Sequence, residues 1–300
     1  MTTCATWNTH FEDHPSGVYA IVFTSQWPEM YEQRPGSLFS PTTCTLVVGP
    51  TEAVLVDAQY LNEDIDQLTD VIADTGRRLT QIYVTHGHPD HYFGIGPLRR
   101  RFPQARAVAL PSVVDDIRDG YNALSRKPWD AWFGDRIVQD PGPLPDVLEG
   151  TTLSVDGYEL RAIEVGQSDI KPTSVVHVPV IDTVIAGDVI YNEIHQMLGL
   201  SGPGAWHEWS ANVDRVAALN PIMIAAGHKK PDSDDRAVAQ MIEGTRGYIA
   251  DFHQAAHEAT SATELIDVML AKHGSRGNLW TLEFSAHSWF ARRENQRPAP

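Results

Sequence analysis

Four side chains that can bind a metal ion lie within six residues, in the run Thr85-His86-Gly87-His88-Pro89-Asp90-His91. Imidazoles two residues apart at the end of a strand can direct two nitrogens at one cation, while Asp90 and His91 turn away where a helix begins. A lone histidine is more often a surface residue, but the HxHxDH pattern directly after an apolar strand is a specific signal. The motif therefore predicts a centre for one or two divalent metal ions, with zinc as the first candidate.

Such a centre indicates hydrolysis, because a divalent cation activates water and polarises a carbonyl group without a serine or cysteine nucleophile. Asp90 is the candidate catalytic residue, since its carboxylate can both bind metal and orient the attacking water. The predicted substrate is a small-molecule lactone, ester, thioester or β-lactam. A nuclease, or a protein that binds a metal or ligand without turnover, is the alternative.

The hydrophobic pattern predicts the elements that must position this motif. β-Rich runs at 18–23, 44–48 and 53–57, separated by glycine and proline, predict a meander of strands. Apolar residues at helical spacing within 62–75, followed by the apolar run 82–84, predict a β-α-β unit that ends at the motif.

The rest of the chain also alternates between strands and helices. We predict a helix at 95–102, strands at 107–110, 152–155, 159–163, 174–178 and 183–186, a helix around Trp206 and Trp209, a strand at 222–226, and helices at 233–258, 261–273 and 282–293. The stretch 111–145 has no assigned element. No Gly/Ser-rich linker precedes the last helices, so we predict one domain over residues 1–300, with a core at about 18–230 and C-terminal helices at about 231–300.

The sequence resembles the metallo-β-lactamase superfamily from about Val18 to His228. The resemblance rests on the HxHxDH motif, on Asp57 after Leu-Val, on Asp188 after Ala-Gly and on His228 after Ala-Gly, each expected at a strand end. It implies an α/β fold, the four-layer αββα sandwich, here with a helical C-terminal part. It also implies that Asp188 bridges two metal ions, that His228 completes the second site and that Asp57 supports the motif from beneath.

One position departs from the superfamily pattern. Most members have Gly-His-Thr, with a third histidine for the first metal, where this chain has Gly166-Gln167-Ser168. Gln167 is therefore the candidate ligand, and its neutral amide oxygen should weaken zinc binding beside His86 and His88. Asp169 could supply a carboxylate instead, although a turn or solvent-facing role is the stronger expectation.

Other residues near the motif have two interpretations each. His195 is expected about equally to line a pocket or to make a structural hydrogen bond. Lys229 and Lys230 could bind a substrate carboxylate, but solvation is the stronger expectation. Five aromatic residues could form an apolar entrance, with core packing as the stronger expectation. These five are Trp27, Tyr31, Trp129, Trp132 and Phe133.

Charge and hydropathy argue against nucleic-acid and membrane partners, so a small-molecule substrate is the predicted partner, and the oligomeric state stays open. A formal net charge of -16 would repel a phosphate backbone, and only the short run Arg99-Arg100-Arg101 is basic, so we predict no nucleic-acid partner. No segment matches a membrane helix and the start lacks a signal pattern, so we predict no membrane partner and a cytoplasmic location. Cys4 and Cys44 have no CxxC spacing and are predicted to be free thiols.

Overall fold

A computed structural model describes residues 5–31, 37–120 and 123–295. Strands β1 (Thr6–His10), β2 (Tyr19–Thr24), β3 (Thr43–Val48) and β4 (Glu52–Val56) pair antiparallel in chain order, which confirms the predicted meander. Helix α1 (Asn62–Asp74) connects β4 to the parallel strand β5 (Arg78–Val84), which confirms the β-α-β unit. Strand β1 escaped prediction because its residues are mostly polar and exposed.

Strands β6 (Arg106–Ala109) and β7 (Asp146–Val147) complete this first sheet. The helices that follow β5 are α2 (Pro89–Tyr92), α3 (Ile95–Arg101), α4 (Pro111–Gly120) and α5 (Ala123–Phe133). The stretch 111–145 therefore holds two helices where no element was predicted. A proline inside α5, Pro128, obscured its helical character, since proline usually interrupts a helix.

The second sheet has the order β12-β11-β10-β9-β8. Its strands are β8 (Thr152–Val155), β9 (Tyr158–Gly166), β10 (Thr173–Val178), β11 (Thr183–Asn192) and β12 (Met223–Lys229). The helices are α6 (Pro203–Ala217), which crosses over between the parallel strands β11 and β12, and then α7 (Val238–Glu258), α8 (Ala262–His273) and α9 (Leu279–Asn295). The predicted elements of this half are all present; β8 has the predicted bounds, and the ends of the others differ by a few residues.

Two apolar clusters hold the layers together. One lies between the sheets and under α1 to α4, and it includes Val176, Ile185 and Met223 from the second sheet. The other joins the outer face of the second sheet to α6, α7, α8 and α9. Burial of both faces of each sheet gives the order helix, sheet, sheet, helix. The predicted αββα sandwich with a helical C-terminal part is thus confirmed.

Strand β11 is longer than the predicted strand 183–186 and includes the candidate ligand Asp188. It extends to Asn192, and its pairing with β12 shifts register around Gly187, so Asp188 lies inside an irregular strand instead of at a strand end. A Cβ atom at Gly227 would lie 2.2 Å from Asp188 Oδ1. Glycine at position 227 therefore leaves the space that the Asp188 carboxylate occupies.

The structure also bears on the two cysteines and on the expected absence of a membrane helix. Cys44 is buried and free, as predicted, whereas Cys4 lies outside the described residues. Among the helices of the described ranges, none combines the length and the apolarity needed to cross a bilayer.

The expectation that Lys229 is solvated or reaches a substrate is wrong. Its side chain is fully buried at the end of β12, and its Nζ donates to Asp235 Oδ1 at 2.6 Å. Asp235 Oδ2 also lies 3.2 Å from His10 Nε2 on β1. Lys230, by contrast, reaches outward and donates to the Ser275 carbonyl oxygen. Consecutive side chains of an extended chain point in opposite directions, so Lys229, the last residue of β12, points inward and Lys230, just after it, points outward.

We expect Lys229→Met to lower the free energy of unfolding by about 3–5 kcal/mol, because it leaves the buried Asp235 carboxylate without its ammonium partner. Lys230→Met is the matched control and should cost about 1 kcal/mol, the value of one exposed hydrogen bond. Urea denaturation of both variants measures the difference. Equal losses would show that the buried pair has no special weight.

Candidate metal centre

The predicted residues converge where the two sheets meet. Two isolated β-bridges, Thr42 with His228 and His86 with Thr173, connect the first sheet to the second, one from just before β3 and one from just after β5. They bring the HxHxDH motif, which follows β5, against the β9–β10 connection, the irregular part of β11 and the end of β12. Side chains that are far apart in the sequence therefore face one another here.

The first group of converging side chains consists of His86, His88, Asp169 and Asp188. Each offers one ligand atom, and these atoms lie within 4.8 Å of one another. His88 Nδ1 is 2.9 Å from Asp169 Oδ2, and His86 Nε2 is 4.0 Å from Asp188 Oδ2. Two imidazoles and two carboxylates form a donor set that suits zinc and similar divalent cations.

The second group consists of Asp90, His91 and His228, whose ligand atoms also lie within 4.8 Å of one another. Asp188 adjoins this group as well, because its Oδ1 lies 3.2 Å from His91 Nε2 and its Oδ2 lies 3.3 Å from His228 Nε2. Asp188 thus stands between the two groups, as the resemblance implies for a bridging carboxylate.

Three atoms of these groups test whether a cation fits. His86 Nε2, His91 Nε2 and Asp188 Oδ1 are buried, and among the described residues none has a partner in hydrogen-bonding geometry. Buried polar atoms without partners are unfavourable in proteins unless a ligand, water or ion satisfies them. These atoms point at one another, so the arrangement fits divalent cations.

Hydrogen bonds behind the imidazoles set which ring nitrogen faces the centre. Asp57 Oδ2 lies 2.8 Å from His91 Nδ1, and the same carboxylate accepts from the backbone N–H and the hydroxyl of Thr85. His228 Nδ1 lies 3.0 Å from the Pro41 carbonyl oxygen. Each of these bonds leaves Nε2 free to face a metal ion. Asp57 therefore supports the motif from beneath, in line with its expected role.

The pKa values reflect how crowded with charge this buried volume is. Burial, and then proximity to His91, lowers the pKa of His86 to about 3, so this imidazole is neutral. Burial alone would also lower the pKa of His88, but the Asp169 carboxylate raises it to about 9. Burial opposes ionisation of Asp188, yet His228 and His91 hold its pKa well below the ordinary value.

The substituted position has an unexpected arrangement. The side-chain amide of Gln167 donates to the Ser168 carbonyl oxygen at 2.9 Å, and Gln167 does not line the cavity beside the motif. Asp169 is only 1% exposed, so a solvent-facing role is excluded. Its Oδ1 accepts from the backbone of Ile170, as in the expected turn, while its Oδ2 faces His88. The turn therefore places the Asp169 carboxylate, and not the Gln167 amide, beside His88.

Other candidates are divided between site and scaffold. His195 is buried and its Nδ1 lies 3.0 Å from the Tyr248 hydroxyl, away from the cavity, so it makes a structural hydrogen bond. Trp129 and Trp132 line the cavity beside the centre. Phe133 is buried in the core, and Trp27 packs against Gly277 elsewhere. Tyr31 is 45% exposed and also lies apart from that cavity.

Tyr191 is a site residue that sequence reasoning missed. Its hydroxyl donates to Asp188 Oδ2 at 2.8 Å, and the side chain lines the cavity. Burial, and then the Asp188 carboxylate, raises its pKa well above the ordinary value, so the phenol keeps its proton. The irregular β11 is what puts both side chains on the same side, three residues apart. The sequence offered no signal for this, because side chains three residues apart in a regular strand point to opposite faces.

Comparison with known proteins agrees with this geometry. The family model described as Metallo-beta-lactamase superfamily matches residues 38–228. A metallo-beta-lactamase type 2 from Bacillus sp. (strain 170) is 22% identical over 180 residues, which are 59% of this chain and 62% of that protein. The chain therefore spans less than two thirds of this relative's length.

Solved structures show the same fold at low identity. A metallo-beta-lactamase family protein from Thermus thermophilus superimposes with a TM-score of 0.62 at 19% identity, covering 93% of this chain and 96% of that one. The FIM-1 metallo-beta-lactamase from Pseudomonas aeruginosa, solved in a mono-zinc form, gives a TM-score of 0.56 at 16% identity, covering 83% and 96%. With the family match over most of the chain, the protein belongs to the metallo-β-lactamase superfamily.

Proposed function

We propose that the protein is a metal-dependent hydrolase that cleaves a small-molecule carbonyl compound, such as a lactone, ester, thioester or β-lactam. The observation that carries this proposal is the set of buried imidazole and carboxylate atoms that converge without partners at the bottom of an open cavity. Superfamily membership supports hydrolysis as the class of reaction. A bound divalent cation supplies acidic water and polarises the carbonyl group.

The protein's own residues have distinct roles in this proposal. The Asp90 carboxylate lines the cavity, and the Thr42 hydroxyl donates to its Oδ2 at 3.2 Å, which fixes its orientation. It is placed to accept a proton from the attacking water. The protonated Tyr191 hydroxyl donates to Asp188 Oδ2 at the same cavity wall and holds that carboxylate in position.

We further propose that Asp169, and not Gln167, completes the first metal site with His86, His88 and Asp188. The short distance between Asp169 and His88 supports this role, as does the way Gln167 turns its amide toward Ser168. Asp90, His91, Asp188 and His228 are the proposed second site. A carboxylate binds a divalent cation more strongly than a neutral amide oxygen does, so the first site need not be weak.

Zinc is the proposed metal, because imidazole and carboxylate donors suit it and because the Pseudomonas relative was solved with zinc. A cytoplasmic location and a single domain over residues 1–300 remain predictions from the sequence.

We expect Asp169→Asn to lower the zinc content of the purified protein by one ion per chain, because the amide removes the charged ligand beside His88. Gln167→Ala is the matched control from the same turn and should keep the zinc content of the unmodified protein. Elemental analysis after gel filtration measures both, and circular dichroism checks the fold. Loss of an ion from Gln167→Ala alone would reverse the assignment.

The reaction itself is tested with a panel of lactone, ester, thioester and β-lactam substrates. We expect zinc-dependent turnover of at least one class, loss of turnover with chelator, and at least a ~100-fold loss of kcat in Asp90→Asn. The exposed Asp140→Asn is the matched control and should retain full activity. A fully active Asp90→Asn protein would refute the role of that carboxylate. Zinc binding without any turnover would favour the non-catalytic alternative.

A further inference from the structure

The cavity above the metal centre is largely apolar and aromatic. It encloses about 290 Å³, roughly twice the size of an engineered apolar cavity that holds benzene. Six of its lining side chains are Phe39, Trp129, Trp132, Leu200, Trp280 and Phe284. Phe39 meets Trp129 edge-on at a centroid distance of 5.6 Å, and Trp280 stacks on Phe284 at 5.3 Å. Packed rings of this kind form a rigid wall for a ring or a branched hydrocarbon.

Positive charge is scarce around this cavity. Among its lining residues in the described part of the chain there is no lysine or arginine. The two lysines that follow the lining residue His228 are engaged elsewhere: Lys229 pairs with Asp235, and Lys230 donates to the Ser275 carbonyl oxygen. His88 and His228 also line the cavity, but as metal ligands they are neutral imidazoles. With the metal site filled, a carboxylate on a substrate would therefore enter an apolar cavity with no cationic side chain to pair with it, which is unfavourable.

The metal centre itself offers little surplus positive charge. Asp57, Asp90, Asp169 and Asp188 are all buried there, so four carboxylates stand against the charge of at most two divalent cations. Asp169 matters most in this balance. If a neutral histidine at position 167 were the ligand instead of the Asp169 carboxylate, the centre would be one unit more positive. The protein as a whole carries a formal charge of -16 and adds no attraction for an anion.

We infer that the substrate is a neutral ester or lactone with an aromatic or cyclic apolar group, and that substrates bearing a carboxylate are disfavoured. This inference rests on the proposed function. β-Lactams of the penicillin and cephalosporin type carry such a carboxylate, so they are poor substrates on this view. Part of the selective wall, Trp280 and Phe284, comes from helix α9, which lies after the matched family region.

The test records stopped-flow tryptophan fluorescence of the zinc-loaded protein, which separates the binding phase from the later turnover. The probes are methyl 4-nitrobenzoate and 4-nitrobenzoate, which share a quenching ring and differ in charge. We expect the neutral ester to bind at least tenfold more tightly than the acid. Trp280→Ala should weaken ester binding at least tenfold, whereas Trp7→Ala, on the exposed strand β1, should leave it unchanged. Equal or tighter binding of the acid, or no saturable binding of the ester, would overturn the inference.

A gain of anion binding provides an independent check. Leu200 is 47% exposed at the cavity rim and Leu279 is 44% exposed outside it, so both tolerate a lysine. Leu200→Lys should tighten binding of 4-nitrobenzoate at least fivefold, and Leu279→Lys should not. Ester binding without any turnover by the zinc-loaded protein would refute the proposed function alone. Turnover of carboxylate-bearing β-lactams in preference to neutral esters would refute the inference alone.

Discussion

The concentration of buried carboxylates at one point is the constraint on which the rest of the structure depends. Asp90, Asp169 and Asp188 are each 1–2% exposed and lie within a few ångströms of the same imidazoles. Like charges removed from water repel one another and raise the free energy of the fold unless positive charge lies between them. Protonated imidazoles can supply that charge in part, and divalent cations can supply all of it. The fold is therefore built around a place for cations.

Rigid supports keep these groups in position. Asp57 lies directly after β4 with a backbone φ of +62°, and its carboxylate accepts from Thr85 and contacts His91 Nδ1. Tyr191 and Thr42 hold the carboxylates of Asp188 and Asp90. Lys229 directly follows His228, and its buried ion pair with Asp235 joins the end of β12 to the segment after it. Side chains held by such bonds lose little freedom when a ligand arrives, which favours both metal binding and catalysis.

Chemistry and selectivity come from different parts of the chain. The proposed metal ligands lie in and next to the strands of the two sheets, and most of them belong to the superfamily pattern. The wall of the cavity comes largely from α5 and α9, which are attached to the sandwich and supply Trp129, Trp132, Trp280 and Phe284. Such an arrangement allows substrate preference to change without disturbing the centre. The segment with Gln167 and Asp169 bears on both, because it places a carboxylate beside His88 and at the wall of the cavity.

The sequence by itself determined the fold class and the local part of the centre. The HxHxDH motif, the apolar strand before it and the helical spacing of α1 are patterns within a few residues of one another, and backbone geometry turns them directly into structure. Resemblance added Asp57, Asp188 and His228. Only the tertiary structure decided the rest. The turn after β9 placed Asp169 instead of Gln167 beside His88, and the irregularity of β11 placed Tyr191 against Asp188. Strand alternation buried Lys229, and long-range packing brought Trp280 over the centre. Each of these depends on contacts between segments far apart in the chain, which no local pattern records.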